Sequence, residues 1–223
     1  MNKDYFYFSL SFSIIIQVLT GIFDIFALFI KVPLAANIIK QLLFLELLVQ
    51  VIEGSFYFWL LYNFNTITNV TPKRYIDWVI TTPTMLVTLI IYLIYLNNKT
   101  TSNLDFFQVF NDNFNTIITV LILNWLMLLF GYLGESKIIP TLLGVFLGFI
   151  PFLIYYYLIF INYVNFDNSG WKLFFYFFFF WSLYGIAATL PYFTKNTFYN
   201  ILDLFAKNFF GIFLAYIIIT QNY

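Results

Sequence analysis

Apolar residues fill this chain in long runs, and short polar stretches interrupt them. A membrane-spanning helix needs about 20 mostly apolar residues. Only helices and closed barrels satisfy the backbone within lipid, and these runs are too long and continuous for barrel strands. The pattern therefore predicts one domain, residues 1–223, folded as an all-α bundle of seven transmembrane helices. The predicted spans are residues 5–30, 34–64, 72–96, 115–133, 140–163, 171–192 and 199–219.

The polar stretches predict the connections between spans. Residues 100–115 are too polar to cross a membrane, and they predict a loop followed by the start of a helix. Residues 194–200, TKNTFYN, predict a polar joint between the last two spans. The N-terminus lacks a small-residue cleavage site after a short apolar core, so we expect a first span there and no signal peptide. Basic residues lie on both sets of loops in nearly equal number and do not orient the bundle.

Composition agrees with a multi-pass integral membrane protein in contact with lipid. Hydrophobic residues make up 62% of the chain and charged residues 9%, against roughly 25% charged in soluble domains. The absence of cysteine and histidine excludes disulfides, thiolate nucleophiles and Ser-His pairs, so we expect neither an enzyme nor a metal site. Zero net charge without a basic patch gives no reason to expect a nucleic-acid partner.

Eight charged residues fall within the predicted spans, where each costs at least about 2.5–3.5 kcal/mol unless it has a partner or a hydrated cavity. Asp203 and Lys207 lie one turn apart on one helix face. The pair has two interpretations, a structural ion pair or a reactive amine that joins a carbonyl cofactor. The eight residues are Asp24, Lys40, Glu46, Glu53, Arg74, Asp77, Asp203 and Lys207.

Four motifs decide between these interpretations. RYIDWVITTP at 74–83 and LDLFAK at 202–207 resemble the third- and seventh-helix signatures of the microbial (type 1) rhodopsins. MLLFGYLGE at 127–135 and WSLYG at 181–185 resemble that family's fourth and sixth helices. The resemblance implies a photoreceptor with all-trans retinal bound covalently to Lys207 as a protonated Schiff base. Asp77 would be the main counterion, Asp203 the second carboxylate and Arg74 the compensating cation.

The resemblance also implies which residues surround the chromophore. Thr81, one turn from Asp77, is expected to hydrogen-bond that carboxylate. Gly185 stands where the family has proline and Ala188 where a second tryptophan often packs, which predicts a looser pocket at the sixth helix. Large flat side chains suit a rigid conjugated ligand, and Gly131 leaves room for its ring. The expected lining residues are Trp78, Thr82, Met127, Gly131, Trp181 and Tyr184.

Two missing carboxylates argue against an ordinary light-driven proton pump. Thr88 occupies the usual position of the inner proton donor, and a threonine cannot supply a proton near neutral pH. No acidic residue lies between Trp181 and Asp203, so an outer release pair is missing from that segment.

Polar residues instead follow one face of the first, second and seventh predicted helices. This pattern is similar to the group 1 viral rhodopsins of giant algal viruses, whose resemblance implies a light-gated channel for monovalent cations and protons, in a host-cell membrane. Ser13, Gln17, Glu46, Gln50, Glu53 and Asn208 fall at the positions of the expected ion path.

Other interpretations stay open at this stage. Serine and glutamine in membrane helices commonly form interhelical hydrogen bonds without any transport role. Glu46 could serve as the proton donor of an outward pump, as a glutamate of the second helix does in a related group of viral rhodopsins. A photosensor that moves no ions is a third function class. The sequence also leaves open whether the protein forms a homo-oligomer.

Overall fold

The computed structural model describes residues 2–98 and 104–223, and part of the predicted polar loop after the third span lies outside these ranges. Within them the chain is helical and contains no β-strand. The helices are α1 (Lys3–Leu28), α2 (Asn37–Tyr62), α3 (Thr71–Asn97), α4 (Phe106–Asp112), α5 (Phe114–Glu135), α6 (Thr141–Tyr163), α7 (Gly170–Ala187), α8 (Tyr192–Asp203) and α9 (Phe209–Thr220).

A π-helical turn, Leu204–Asn208, joins α8 and α9 into one continuous helix over Tyr192–Thr220. Six helices of the described chain are long and apolar enough to cross a membrane: α1, α2, α3, α5, α6 and the α8–α9 helix. Helix α7 completes the bundle, although its 18 residues include Lys172 and several tyrosine and tryptophan residues that lower its mean hydropathy. The predicted seven-helix bundle is therefore confirmed.

The predicted boundary between the sixth and seventh spans is wrong. Helix α7 ends at Ala187, and residues 194–200 lie within α8 and do not form a joint. The physical reason is that the polar side chains of this segment are buried and paired inside the bundle. Lys195 is bonded to Glu135, and Asn196 and Asn200 both accept hydrogen bonds from Arg74.

The polar segment before the fourth span contains the short helix α4. The Asp105 side chain caps it by accepting hydrogen bonds from the backbone N–H groups of Phe107 and Gln108, which satisfies two donors that have no partner inside the helix. The predicted helix start is therefore present, but it forms a separate seven-residue helix before α5 begins at Phe114.

Helix α3 lies at the centre of the bundle and contains a proline. Pro83 has no N–H, so the carbonyl of Val79 one turn earlier loses its usual helical donor. The indole Nε1 of Trp125 on α5 donates to that carbonyl at 2.9 Å. Trp125 of α5 thus supplies the donor that α3 lacks at this carbonyl and joins the two helices.

The interior divides into an apolar and a polar part. The larger apolar core is formed by residues of α3, α5, α6, α7 and α9, with the first half of α2. Polar side chains are buried between α1, α2 and the α8–α9 helix. On α1 and α2 they are Ser9, Ser13, Gln17, Thr20, Asp24, Glu46, Gln50 and Glu53.

Candidate functional site

Lys207 lies in the π-helical turn, and its ammonium group faces three carboxylates. Its Nζ atom is 2.7 Å from Asp77 Oδ2, 3.6 Å from Asp203 Oδ1 and 3.8 Å from Glu53 Oε1. All four side chains are at most 3% exposed. A buried cation is stable only beside compensating charge, and these carboxylates supply it from three different helices.

The Asp203 carboxylate is held by two tyrosines. Tyr57 donates to Oδ2 and Tyr184 donates to Oδ1, both at 2.7 Å. Each oxygen of Asp203 therefore has a neutral donor in addition to the nearby cations. Asp77 differs, because its Oδ1 has no hydrogen-bond partner among the described residues.

Arg74 lies on the other side of Asp203, 3.6 Å from Asp203 Oδ2 to its Nη1. Its Nε donates to Asn196 Oδ1 at 3.0 Å, and its Nη2 donates to Asn200 Oδ1. The guanidinium also lies about 5.6–5.7 Å from the ring centres of Tyr57 and Tyr199, a distance at which aromatic faces stabilise cations. Amides and rings therefore hold Arg74, and Asp203 is the carboxylate in direct contact with it among residues 2–98 and 104–223.

The hydrogen bond expected from Thr81 to the Asp77 carboxylate stays a prediction, although the two side chains lie within reach of each other. Thr81 Oγ1 donates to the backbone carbonyl of Asp77 at 3.1 Å. A threonine within a helix readily bonds the carbonyl one turn earlier, and this local partner is always within reach. Thr81 is fully buried beside the cluster.

An apolar cavity meets the cluster at Lys207. It lies between α3, α5, α6, α7 and the α8–α9 helix and has a volume of about 110 Å³. All six lining residues expected from the sequence border it, together with Lys207. Further lining residues include Tyr75, Met85, Leu128, Gly148, Phe149, Phe152, Gly185, Ala188 and Tyr199.

Two glycines shape this cavity by close approach. A Cβ atom on Gly131 would lie 2.6 Å from the hydroxyl of Tyr75, so a larger residue would displace that ring. A Cβ on Gly185 would lie 2.6 Å from the ring of Phe149. Phe149 therefore packs against the position where the family has proline, and because Gly185 and Ala188 both border the cavity, the expectation of a looser pocket stays a prediction.

The residues of the expected ion path are all buried and lie along the interface of α1, α2 and the α8–α9 helix. Ser13 Oγ donates to the carbonyl of Asn200 at 3.1 Å, and Asn208 Nδ2 donates to Thr20 Oγ1 at 2.8 Å. Neither oxygen of Glu46 nor of Glu53 has a hydrogen-bond partner in the described structure. Both polar atoms of the Gln17 side chain are also without one. The structure thus brings the six residues into one polar layer, and their role in conduction stays a prediction.

Sequence reasoning missed three groups of residues. The amides of Asn196 and Asn200, which bind Arg74, fall in the predicted polar joint, although their spacing of one helical turn close to Asp203 is a usable signal. The pair Lys195–Glu135, with 2.7 Å between Nζ and Oε1, is a buried ion pair between α8 and the end of α5. The ring of Phe149 gave no signal, because one phenylalanine among 32 cannot be distinguished by pattern.

Comparison with known proteins agrees with this arrangement. The model of the family described as bacteriorhodopsin-like protein matches residues 8–221. The chain belongs to this family. No curated protein matches the sequence.

Solved structures of rhodopsins superpose along almost the whole chain. The viral rhodopsin OLPVRII is 26% identical, with a TM-score of 0.84 over 98% of this chain and 99% of that one. Xanthorhodopsin, described as a light-driven ion pump with a dual chromophore, is 20% identical with a TM-score of 0.76, over 98% and 94% of the two chains. The proton-pumping rhodopsin AR2 of the marine alga Acetabularia acetabulum is 19% identical with a TM-score of 0.73, over 100% and 97%.

The chain is thus a microbial rhodopsin similar to a viral rhodopsin, as the four motifs predicted. The assignment to group 1 of the viral rhodopsins stays a prediction. The bacteriorhodopsin-like fold places Lys207 at the junction of the apolar cavity and the charged cluster, where one side chain reaches both.

Proposed function

We propose that this protein is a retinal-binding photoreceptor that acts as a light-gated cation channel. The observation that carries the proposal is the position of Glu53. Its carboxylate lies 3.8 Å from Lys207 and also belongs to the buried polar layer of α1 and α2. A change of charge at Lys207 therefore acts directly on a residue of the proposed path.

The residues around Lys207 fit retinal. A primary amine at one end of a cavity with mostly apolar and aromatic walls is the arrangement that a long conjugated aldehyde requires, since the aldehyde carbon bonds the amine and the polyene occupies the cavity. When bound to Lys207 as a protonated Schiff base, all-trans retinal would supply light absorption and isomerisation. Trp78, Met127 and Trp181 would hold the polyene by packing.

Asp77 is the proton acceptor in this proposal. Its Oδ2 is the carboxylate atom nearest to Lys207 Nζ, and its Oδ1 accepts no hydrogen bond within the described residues. Asp203 is a poorer acceptor, because Tyr57 and Tyr184 already donate to both of its oxygens. A proton on Asp77 removes its charge and leaves Arg74 and Glu53 in an altered field.

The polar layer would then admit water and cations. Glu46, Glu53 and Gln17 carry buried oxygen atoms that accept no hydrogen bond from the described residues. Buried polar groups without partners are costly, so hydration of this layer is favourable once the helices separate. Carboxylate and amide oxygens suit monovalent cations and protons.

Whole-cell patch clamp with added retinal tests the proposal. We expect a photocurrent whose reversal potential follows the cation gradient across the membrane, and no photocurrent from Lys207→Ala. An outward photocurrent at every voltage would overturn the channel and support a pump. A photocycle without any photocurrent would overturn it in favour of a photosensor.

One observation supports the outward proton pump as a second candidate. Glu46 is fully buried and faces Thr88, the residue at the usual donor position. A carboxyl group at this place could supply the proton that Thr88 cannot. In a pump, Glu46→Gln would slow reprotonation, and added azide, a small proton carrier, would restore the rate.

A further inference from the structure

A hydrogen bond joins α1 and α2 across the polar layer near the end of α1. Gln50 Nε2 on α2 donates a hydrogen bond to Asp24 Oδ2 on α1. Asp24 is fully buried and Gln50 is 4% exposed. The bond joins the two helices about one turn before α1 ends at Leu28.

The backbone of α9 supports this pair from the third side. A Cβ atom on Gly211 would overlap the Asp24 carboxylate and the Gln50 amide, and would lie 3.1 Å even from Cγ of Asp24. The pair therefore rests directly on the Cα of Gly211, where only glycine leaves room. Both groups that a methyl would meet are the ends of flexible side chains, so the methyl would displace the pair before it displaced α9.

The pair continues directly into the polar layer. Thr20 Oγ1 lies 3.4 Å from Gln50 Oε1 and accepts a hydrogen bond from Asn208, which follows Lys207 in the chain. Hydrogen bonds thus run from Asp24 and Gln50 through Thr20 to the residue next to the retinal lysine. In the other direction only about one helical turn separates the pair from the end of α1.

We propose that Asp24, Gln50 and Gly211 form a closed gate, here named the inner gate, across the polar layer near the end of α1, between Thr20 and Glu46. The inference rests on the channel function proposed above. Gly211 acts as a positioning residue that allows the two side chains to meet. Opening requires only that water replaces one hydrogen bond and that α9 moves away from the pair.

Cysteine labelling tests the inner gate without measuring current. The natural chain has no cysteine. Thr20→Cys therefore introduces a single thiol on the Lys207 side of the gate, with little change in side-chain size. The protein is loaded with retinal and placed in nanodiscs, which expose both faces. A small, charged methanethiosulfonate reagent is then added in the dark or under light. We expect slow labelling in the dark and faster labelling under light.

Variants in the Thr20→Cys background identify the gate residues. Gly211→Ala should accelerate dark labelling about tenfold or more, the factor expected when a hydrogen-bonded closure is lost. Asp24→Ala should do the same without adding bulk, whereas Asp24→Asn keeps an acceptor for Gln50 and should label as slowly as the parent. Gly21→Ala is the matched control, because its Cβ would lie at an ordinary 3.5 Å from Gln50 Oε1.

The visible absorption band confirms that each variant folds and binds retinal. Dark labelling that is unchanged in both Gly211→Ala and Asp24→Ala overturns the inner gate. Acceleration by Asp24→Asn equal to that by Asp24→Ala also overturns it, since a hydrogen-bonded closure would then have no role. Failure of the channel function is distinguishable, because it appears as the wrong photocurrent while the labelling pattern still reports the closure.

Discussion

Tyr57 and Tyr184, from α2 and α7, donate hydrogen bonds to opposite oxygens of the Asp203 carboxylate. Asp203 is thereby fixed from both sides, whereas Asp77 keeps one oxygen without a partner in the described structure. Asp77 and Asp203 therefore differ in their hydrogen bonding, and under the proposed function Asp203 is a fixed charge and Asp77 the proton acceptor.

This difference predicts distinct effects of neutralising Asp77 and of removing one hydrogen-bond donor from Asp203. Asp77→Asn removes the nearest negative charge from Lys207, so the absorption band should shift to longer wavelength and photocurrent should fall about tenfold or more. Tyr57→Phe leaves the charges unchanged and removes one donor to Asp203, so the band should shift far less. Visible spectra and photocurrents of the two variants measure both effects. Equal shifts would contradict the assignment of Asp77 as main counterion.

Lys207→Ala should abolish the retinal-dependent visible band, because no other amine borders the cavity in the described residues. Lys172→Ala is the matched control, since Lys172 lies beside the ring of Trp171, away from the cavity. Spectra recorded after adding retinal to purified protein decide the result. A band of normal intensity in Lys207→Ala would exclude this lysine as the attachment site.

Replacing each of the two glutamates of α2 should affect the absorption maximum and the photocurrent differently. Glu53 contacts Lys207, so Glu53→Gln should change both the absorption maximum and the photocurrent. Glu46 belongs to the polar layer but makes no ion pair with Lys207, so Glu46→Gln should lower the photocurrent and leave the absorption maximum nearly unchanged. Spectra and patch-clamp recordings of the same preparations provide the comparison. A colour change in Glu46→Gln as large as that in Glu53→Gln would contradict the geometry.

Removing one partner of the buried pair Glu135–Lys195 should destabilise the protein, because the other charge is then buried without compensation. Glu135→Leu is expected to lower the free energy of unfolding by roughly 3–5 kcal/mol. The double variant Glu135→Leu with Lys195→Met should recover most of this loss, since an apolar pair of similar size replaces both charges. Thermal loss of the visible band measures the effect. Additive losses in the double variant would show that the two residues do not act as a pair.

Asn196 should hold Arg74 in place. Asn196→Leu removes an acceptor from a buried guanidinium, and a hydrogen bond to a charged group contributes about 1.5–3 kcal/mol. We expect a loss of stability in this range and a shifted absorption maximum, because Arg74 can move relative to Asp203. Asn196→Asp keeps the acceptor for Arg74 but loses the bonds that Nδ2 donates to Thr71 and Tyr192, so it should recover only part of the stability. A stable Asn196→Leu variant with an unchanged spectrum would contradict this positioning role.

The sequence predicted the bundle and the chemistry at Lys207 because both are local signals. Long apolar runs reveal spans, and charged residues within such runs are rare enough to indicate a site. The start of α8 differs from the prediction because polar residues such as Lys195 and Asn196 suggest a solvated segment. Their partners, Glu135 and Arg74, are distant in sequence and cannot be inferred from hydropathy. For Thr81, spacing alone cannot distinguish the Asp77 carboxylate from the backbone carbonyl of the same residue, to which Oγ1 donates at 3.1 Å. Phe149 illustrates a third limit, because packing across helices leaves no trace in a pattern.

The bond between Trp125 and the carbonyl of Val79 has an evolutionary consequence. Both residues face the lipid, at 43% and 44% exposure, where no water can satisfy a bare carbonyl. Replacing Trp125 alone would leave that carbonyl without a donor, whereas replacing Pro83 would restore the helical one. We therefore expect the proline and the tryptophan to be inherited together, so that a lineage that loses the tryptophan is under selection to lose the proline as well.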